Sequence, residues 1–354
     1  MATKTLKEEI RFCAVGAAGA NVVQMVSKKG YKDFYINLAK QDLDLVNSPN
    51  KLHIKNGEGA SKDRNKAKDL LSESVDDVIE VLEQQITEKY VFVVYSLGGG
   101  SGSGLGTFLA SVLAENPEKK VGLVVILPSM KETLQARINA YEALSEIVKC
   151  KNEFGSIFVL DNNTREDKLS INRTFAALFD SFINIEGASS IKGVLDIAEQ
   201  KALLETSGVA MIHRVGQDGQ SELLPIIKDG IYAPLEPNKK VKYIGLSQPD
   251  AKDVISIEAV TDVVGKPIDT YMGFGNQTET VLYLAGLSFP KTYINDLKKS
   301  IMDEQERAQA ILEDDDIEMD DGINFLASVK KPVAEKKVET KKSARDMFLA
   351  NRNK

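Results

Sequence analysis

Seven residues, Gly98-Gly99-Gly100-Ser101-Gly102-Ser103-Gly104, lie between an apolar run and a helical pattern. Glycine lets the backbone come close to a ligand and take positive φ. Free N–H groups at a helix start favour anions, and oriented amides there cradle phosphate. Ser101 and Ser103 add hydroxyl donors. A Gly/Ser linker is the bland alternative, but a linker does not join a buried strand to a helix within one fold. The Walker A pattern is absent because no Lys follows, and the Rossmann pattern fails because position 103 is Ser. Asp196 and Glu199 form a second chemical pair. Their D-x-x-E spacing puts both carboxylates on one side of a helix start. There they could handle water in a hydrolysis or merely cap the helix, and spacing alone leaves both readings standing.

Strands alternating with helices must position these groups. The apolar pattern predicts strands at Ile10–Val15, Phe34–Leu38, Val91–Leu97, Val121–Leu127 and Ser156–Leu160. It predicts helices at Val22–Lys28, twice within Lys62–Lys89, at Leu105–Glu115 and at Lys131–Lys149. Continuous apolar strands separated by helices mean a parallel sheet covered on both faces, with ligands at the strands' carboxyl ends. A helix carrying Phe175, Phe179, Phe182 and Ile183 on one face follows. Val209–Arg214, Val254–Val264 and Thr280–Phe289 then read as strands of a smaller mixed α/β domain. Ile294, Leu297, Ile301, Ala308, Ile311 and Leu312 make one stripe of a final helix. The fold class is α/β, divided as 1–170, a central helix at 171–192, a second domain at 193–290, a helix at 291–312 and a tail at 313–354.

The 354 residues include 45 Lys/Arg and 52 Asp/Glu, for a net charge of −7. The charge is uneven. Glu313–Asp321 is almost wholly acidic, whereas Val329–Lys354 is Lys-rich with few apolar residues before Met347-Phe348-Leu349. Such a tail is predicted to be disordered when free. No run approaches the roughly 20 apolar residues that span a bilayer, and Met1–Glu9 is charged, so a cytoplasmic protein without membrane contact is expected. Cys13 and Cys150 make no disulfide framework, and His53 and His213 are too isolated for a metal cluster.

The glycine heptapeptide matches the tubulin/FtsZ signature G-G-G-[ST]-G-[ST]-G, and the resemblance extends along the body. Gly16-Ala17-Ala18-Gly19-Ala20-Asn21 resembles the family's first phosphate loop. Asn37–Asp42 falls at its second loop, and Gly57–Arg64, with Gly59, Ala60 and Ser61, at the loop that senses the γ-phosphate. Pro128–Glu132 fits the ribose loop, with Arg137 beyond it, and Asp161-Asn162 the loop whose Asn recognises guanine. Asn162 supplies the donor and acceptor that a guanine edge needs. Asn172 is the candidate second base contact, with Lys168 where the family has an aromatic. Val194–Lys201 resembles the FtsZ segment N-x-D-x-x-D, with Val194 replacing the Asn.

The resemblance implies a GTPase using GTP/GDP and Mg²⁺ with no protein-only metal site. Gly16, Ala17, Ala18, Asn21, Asn37, Gly59, Ala60, Ser61, Gly98, Gly99, Gly100, Ser101, Gly102, Ser103, Glu132, Arg137, Asn162 and Asn172 would hold the nucleotide. Asp196 and Glu199 would act on the site of the next subunit in a head-to-tail filament. The added C-terminal helix and basic tail are similar to the TubZ branch, the plasmid and phage partition tubulins. That likeness implies that the tail binds a DNA-bound adaptor resembling TubR, and centromere DNA through it. The alternatives are a phage spindle tubulin with an acidic C-terminal knuckle, an FtsZ-like division protein, and a GTP-binding regulator that does not polymerise.

Overall fold

The computed structural model describes residues 5–185, 193–216, 219–249, 255–275, 277–314 and 343–352. The first half runs β1 (Ile10–Val15), α1 (Gly16–Ser27), β2 (Lys32–Asn37), α2 (Lys40–Asp44), β3 (Lys51–His53), α3 (Arg64–Ser72), α4 (Val75–Gln85) and β4 (Tyr90–Ser96). It continues with α5 (Ser101–Ala114), β5 (Lys120–Leu127), α6 (Leu134–Cys150), β6 (Ser156–Asp161) and α7 (Lys168–Ile183). The second half runs α8 (Ile197–Glu205), β7 (Gly208–Val215), α9 (Gly219–Lys228), β8 (Tyr243–Pro249), α10 (Ile257–Val264), β9 (Asp269–Gly275), β10 (Thr280–Leu287) and α11 (Lys291–Asp314). A last helix, α12 (Ala344–Arg352), ends the described chain.

All ten strands join one sheet in the order β3-β2-β1-β4-β5-β6-β7-β10-β8-β9. Pairing is parallel from β3 to β7 and antiparallel on both sides of β10. The halves meet where β6 pairs with β7 over Ser156–Phe158 and Gly208–Ala210. The central strands are buried on both faces, as helix-covered parallel strands must be. α7 fills one face with phenylalanines. Phe179 meets Phe12 and Phe92 edge-on, each at 5.1 Å between ring centres. Phe182 lies 4.4 Å from Tyr283 of β10, so α7 bridges the two halves. Such edge-to-face pairs contribute beyond the apolar area they bury.

Several elements differ from the sequence expectation. The expected strand Val254–Val264 is overturned over its described residues, 255–264, because Ile257–Val264 is the helix α10. Its apolar residues 257, 260 and 264 follow helical spacing, and the Ser256 side chain accepts from the Ala259 N–H as an N-cap. β8, β9, α2 and β3 are additional elements, and the first two contain glycines that read as turns. α1 and α5 begin at Gly16 and Ser101, several residues before the apolar stripe starts. The tail is helical at Ala344–Arg352 and packs on the body. Burial of Phe348 against Phe108 gives this stretch the apolar contact that its composition lacks. The remainder of the predicted disordered stretch, residues 329–342 and 353–354, falls outside the described residues, as does the acidic run from 315 to 321. No described helix is long and apolar enough to cross a membrane.

Candidate functional site

The strand ends β1, β2, β4 and β5 open into one cavity of about 380 Å³. Gly16, Ala17, Ala18, Asn37, Gly59, Ala60, Ser61, Gly98, Gly99, Gly100, Ser101, Gly102 and Glu132 line it, together with Ala39, Asp42, Lys62 and Ser96. These residues come from five separate segments, brought together by the parallel register of the strands that precede them.

Glycine is required here for close approach. A Cβ on Gly100 would lie 2.7 Å from the Ala60 Cβ, and one on Gly102 3.0 Å from the Ser96 carbonyl oxygen. A Cβ on Gly99 meets nothing within 4 Å. The glycine loop thus packs against its neighbours on two sides and keeps one side open. Because α1 and α5 both begin at this wall, their unpaired first-turn N–H groups converge on the cavity. The facing segment carries Ser61 and Lys62 at φ of 48° and 64°, left-handed values uncommon outside glycine. Asp63 then caps α3 through the Asn65 and Lys66 N–H groups, at 2.8 and 3.0 Å.

Two buried side chains hold the loops together: Asn139, which the sequence reading passed over, and Arg64, which it placed in the Gly57–Arg64 loop without a role of its own. Asn139 of α6 aims its Nδ2 at the carbonyls of Lys62, Gly98 and Gly99, at 2.8, 3.2 and 3.3 Å. Gln135 donates to its Oδ1 at 2.9 Å, which fixes the amide's orientation. Arg64 donates twice to the Ser103 carbonyl and pairs with Glu142 and Glu146. The usable signal was helical phase: Gln135, Asn139, Glu142 and Glu146 recur on one face of α6.

The expected contacts divide. Asn37 lines the cavity and donates to Asp42 at 3.0 Å. Glu132 accepts from the Ser129 N–H and from Lys168 Nζ, at 3.1 and 2.7 Å. Lys168, at the predicted aromatic position, therefore stands beside the Pro128–Glu132 segment. Ser103 is fully buried, and its hydroxyl donates back to the Gly99 carbonyl, so it shapes the loop without facing the cavity. Arg137 is buried and pairs with Glu304 of α11. Asn21, Arg137, Asn162 and Asn172 are not among the cavity-lining residues. Asn163 frames the 128–132 segment, accepting from the Met130 N–H at 2.7 Å and donating to Pro128 and to Asp161. Tyr293 of α11 also donates to the Pro128 carbonyl, at 3.1 Å. Burial raises the Asp161 carboxyl pKa, while the Asn163 N–H groups partly offset it.

Asp196 and Glu199 stand apart. They form a capping box on α8: the Asp196 side chain accepts from the Glu199 N–H at 2.8 Å, and the Glu199 side chain accepts from the Asp196 N–H at 3.0 Å. Asp196 is exposed. The segment before it lies against β9, where the Phe274 N–H bonds the Gly193 carbonyl at 3.0 Å. β9 is the last strand of the sheet order, far from β1 and β4. Val194, Ile197 and Met272 are exposed around this pair. Among the described residues no group of three or more His, Cys, Asp or Glu could hold a metal ion.

Comparison with known proteins agrees with this geometry. Residues 9–168 match the model of the tubulin/FtsZ family GTPase domain. The chain is 28 % identical to the tubulin-like protein TubZ of Clostridium botulinum C phage over 360 aligned residues, covering 97 % of this chain and 99 % of that protein. The crystal structure of Clostridium botulinum phage c-st TubZ superposes with a TM-score of 0.76 at 28 % identity, covering 85 % of this chain and 100 % of that one. A GTPγS-form protofilament of Bacillus thuringiensis serovar israelensis TubZ shares the fold at a TM-score of 0.72 with 18 % identity, covering 87 % and 95 %. The cavity residues 16 to 132 fall within the matched stretch, so the cavity is that of a GTPase domain of the tubulin/FtsZ type.

Proposed function

We propose that this protein is a cytomotive GTPase whose subunits stack head to tail and whose hydrolytic site is completed across each junction. The observation that carries this reading is the separation of two half-sites. The cavity holds loops suited to a triphosphate, but its lining carboxylates, Asp42 and Glu132, are already engaged by Asn37 and by Lys168 with the Ser129 N–H. The D-x-x-E pair sits at the other end of the sheet order, with Asp196 exposed and Glu199 half-buried, amid surface apolar residues. A heterologous contact of this kind, when it does not close, builds a filament. The protofilament form of the Bacillus relative supports the same reading.

Gly16, Ala17, Ala18 and Gly98–Ser101 cradle the phosphates, with Ala60 and Ser61 facing the terminal one. Asn162 and Asn172 serve the base and Asn21 belongs to the first phosphate loop, all three outside the cavity lining. Mg²⁺ fits this donor set as an ion carried mainly by the triphosphate, with Asp42 and Glu132 the carboxylates that line the cavity. Such an ion supplies charge neutralisation for phosphoryl transfer. Asp196 and Glu199 of one subunit orient the attacking water at the next. The tail engages a DNA-bound adaptor, so the filament moves plasmid or phage DNA.

The test uses Asp196→Asn with Glu199→Gln. Both replacements keep the capping box, since Asn caps as well as Asp and Gln can take the place of Glu. Light scattering and phosphate release are followed after GTP is added with Mg²⁺. Trans catalysis predicts assembly without decay and at least a hundredfold slower phosphate release. Wild-type hydrolysis by this variant would leave the pair as a helix cap and refute the reading.

A further inference from the structure

We infer that the face formed by α3, α4 and α5 is a docking site for the chain's own C-terminal helix, so the tail exchanges between a latched and a free state. Four contacts define the latch. The Phe348 ring stacks on Phe108 of α5, with 4.2 Å between centres and 27° between planes. Arg345 makes a forked pair with Asp76 of α4, at 2.6 and 3.0 Å. Ala344 is 7 % exposed, and its backbone N–H donates to Glu115 just beyond α5. Ala344 and Phe348 also line a cavity of about 540 Å³ with Asn65, Gly104 and Cys150.

The chemistry explains why this occupant fits this face. The tail is basic, and the two groups it meets at the rim, Asp76 and Glu115, are acidic. Its Phe348 covers the partly buried ring of Phe108. A forked arginine–carboxylate pair fixes direction as well as attraction. The contact is small, about one side of two helical turns, so a separate peptide would hold it weakly. Tethering raises the effective concentration to the millimolar range for a short flexible linker, and less for a longer one. A weak, tethered contact suits a reversible latch.

The latch occupies the side chains through which a tail would grip a partner. Phe348 and Arg345 cannot serve a second protein while they stack on Phe108 and pair with Asp76. This consequence rests on the adaptor reading above, but the docking itself does not. The latch also sits on the two helices that open from the cavity loops, α3 after Lys62 and α5 from Ser101.

Hydrogen exchange on the full-length protein tests it. The expected result is that amides 346–352 exchange at least tenfold slower than in an unstructured peptide, independently of protein concentration. Arg345→Asp or Phe348→Ala should remove that protection while the β4 amides stay protected, which shows that the body is folded. Pairing Asp76→Arg with Arg345→Asp should restore it. Free-peptide exchange in the wild type would overturn the inference. Protection that rises with protein concentration would assign the site to a second copy's tail and overturn the intramolecular latch. Failure of the charge swap to restore protection would also overturn the proposed geometry.

Discussion

Asn139 offers a sharp test of the site, because one buried amide joins two cavity loops. Its Nδ2 faces three carbonyl oxygens, but an amide nitrogen has only two hydrogens. At most two full bonds to the loops are therefore lost on removal, each contributing about 1 kcal/mol, besides the bond from Gln135 within α6, whose exposed end can turn to water. Asn139→Ala should cost about 2 kcal/mol, shared between folding stability and the ordering of the loops around nucleotide. If the whole cost fell on binding, the GTP dissociation constant would rise roughly thirtyfold, at 1.4 kcal/mol per factor of ten. Asn139→Asp is nearly isosteric but turns the donor into an acceptor facing carbonyl oxygens. Its penalty should exceed that of the alanine variant, because Gln135 serves only one carboxylate oxygen and the other places buried negative charge against carbonyls. Thermal unfolding without ligand gives the stability share, and titration with a fluorescent GTP analogue gives the binding share. An aspartate variant that matches wild type in both would refute the clamp. So would an alanine variant that binds more weakly than the aspartate one.

Gly100→Ala drives a methyl to 2.7 Å from the Ala60 Cβ, against the roughly 3.5–4.0 Å of an ordinary contact. The loop must move about 1 Å, a displacement that can cost a hundredfold, and steady-state GTP hydrolysis should fall accordingly. Gly99→Ala meets no such neighbour and should retain folding stability near wild type in thermal melts. His213 is buried, its Nε2 has no partner, and burial holds its pKa down at about 4 from an ordinary 6.5. The unfolded chain binds the proton first. The stabilisation is therefore complete above pH 6.5 and is lost as pH falls to 4, by about 3 kcal/mol. In urea unfolding across that range, His213→Leu should flatten this component of the pH slope, and an unchanged slope would exclude it.

The parallel half was legible because burial on both faces leaves continuous apolar runs. VFVVYSL at 91–97 and the run at 121–127 correspond to β4 and β5 with one-residue shifts at their ends. In the second half β7 and β10 are buried runs and were equally legible, whereas β8 and β9 are interrupted by glycine. β9 is an edge strand in which Met272 is 40 % exposed, so it lacks the apolar density that marks a buried strand. At α10 the signal was present but read with the wrong period. The β-branched residues favoured a strand, while Ser256 and the 257–260–264 spacing marked a capped helix.

The site divides along the same physical line. Residues whose backbone lines the cavity were readable, because backbone approach demands glycine and glycine shows in a sequence. Residues that act through side chains across the fold were not. Ser103 looked like a ligand donor, yet its hydroxyl closes the loop onto Gly99. Arg137 looked like a nucleotide contact, yet α11 covers it and supplies Glu304. Asn139 looked like one polar residue in a helix, and only the meeting of Gly98, Gly99 and Lys62 gives it a task. The capping box at Asp196 and Glu199 sharpens the point. Each carboxylate accepts one backbone N–H in the single chain, and an ionised carboxylate has roughly four acceptor positions. The capping role therefore leaves capacity for a water at a neighbour's site. Substitutions that keep the cap while removing the charge are what separate the two roles.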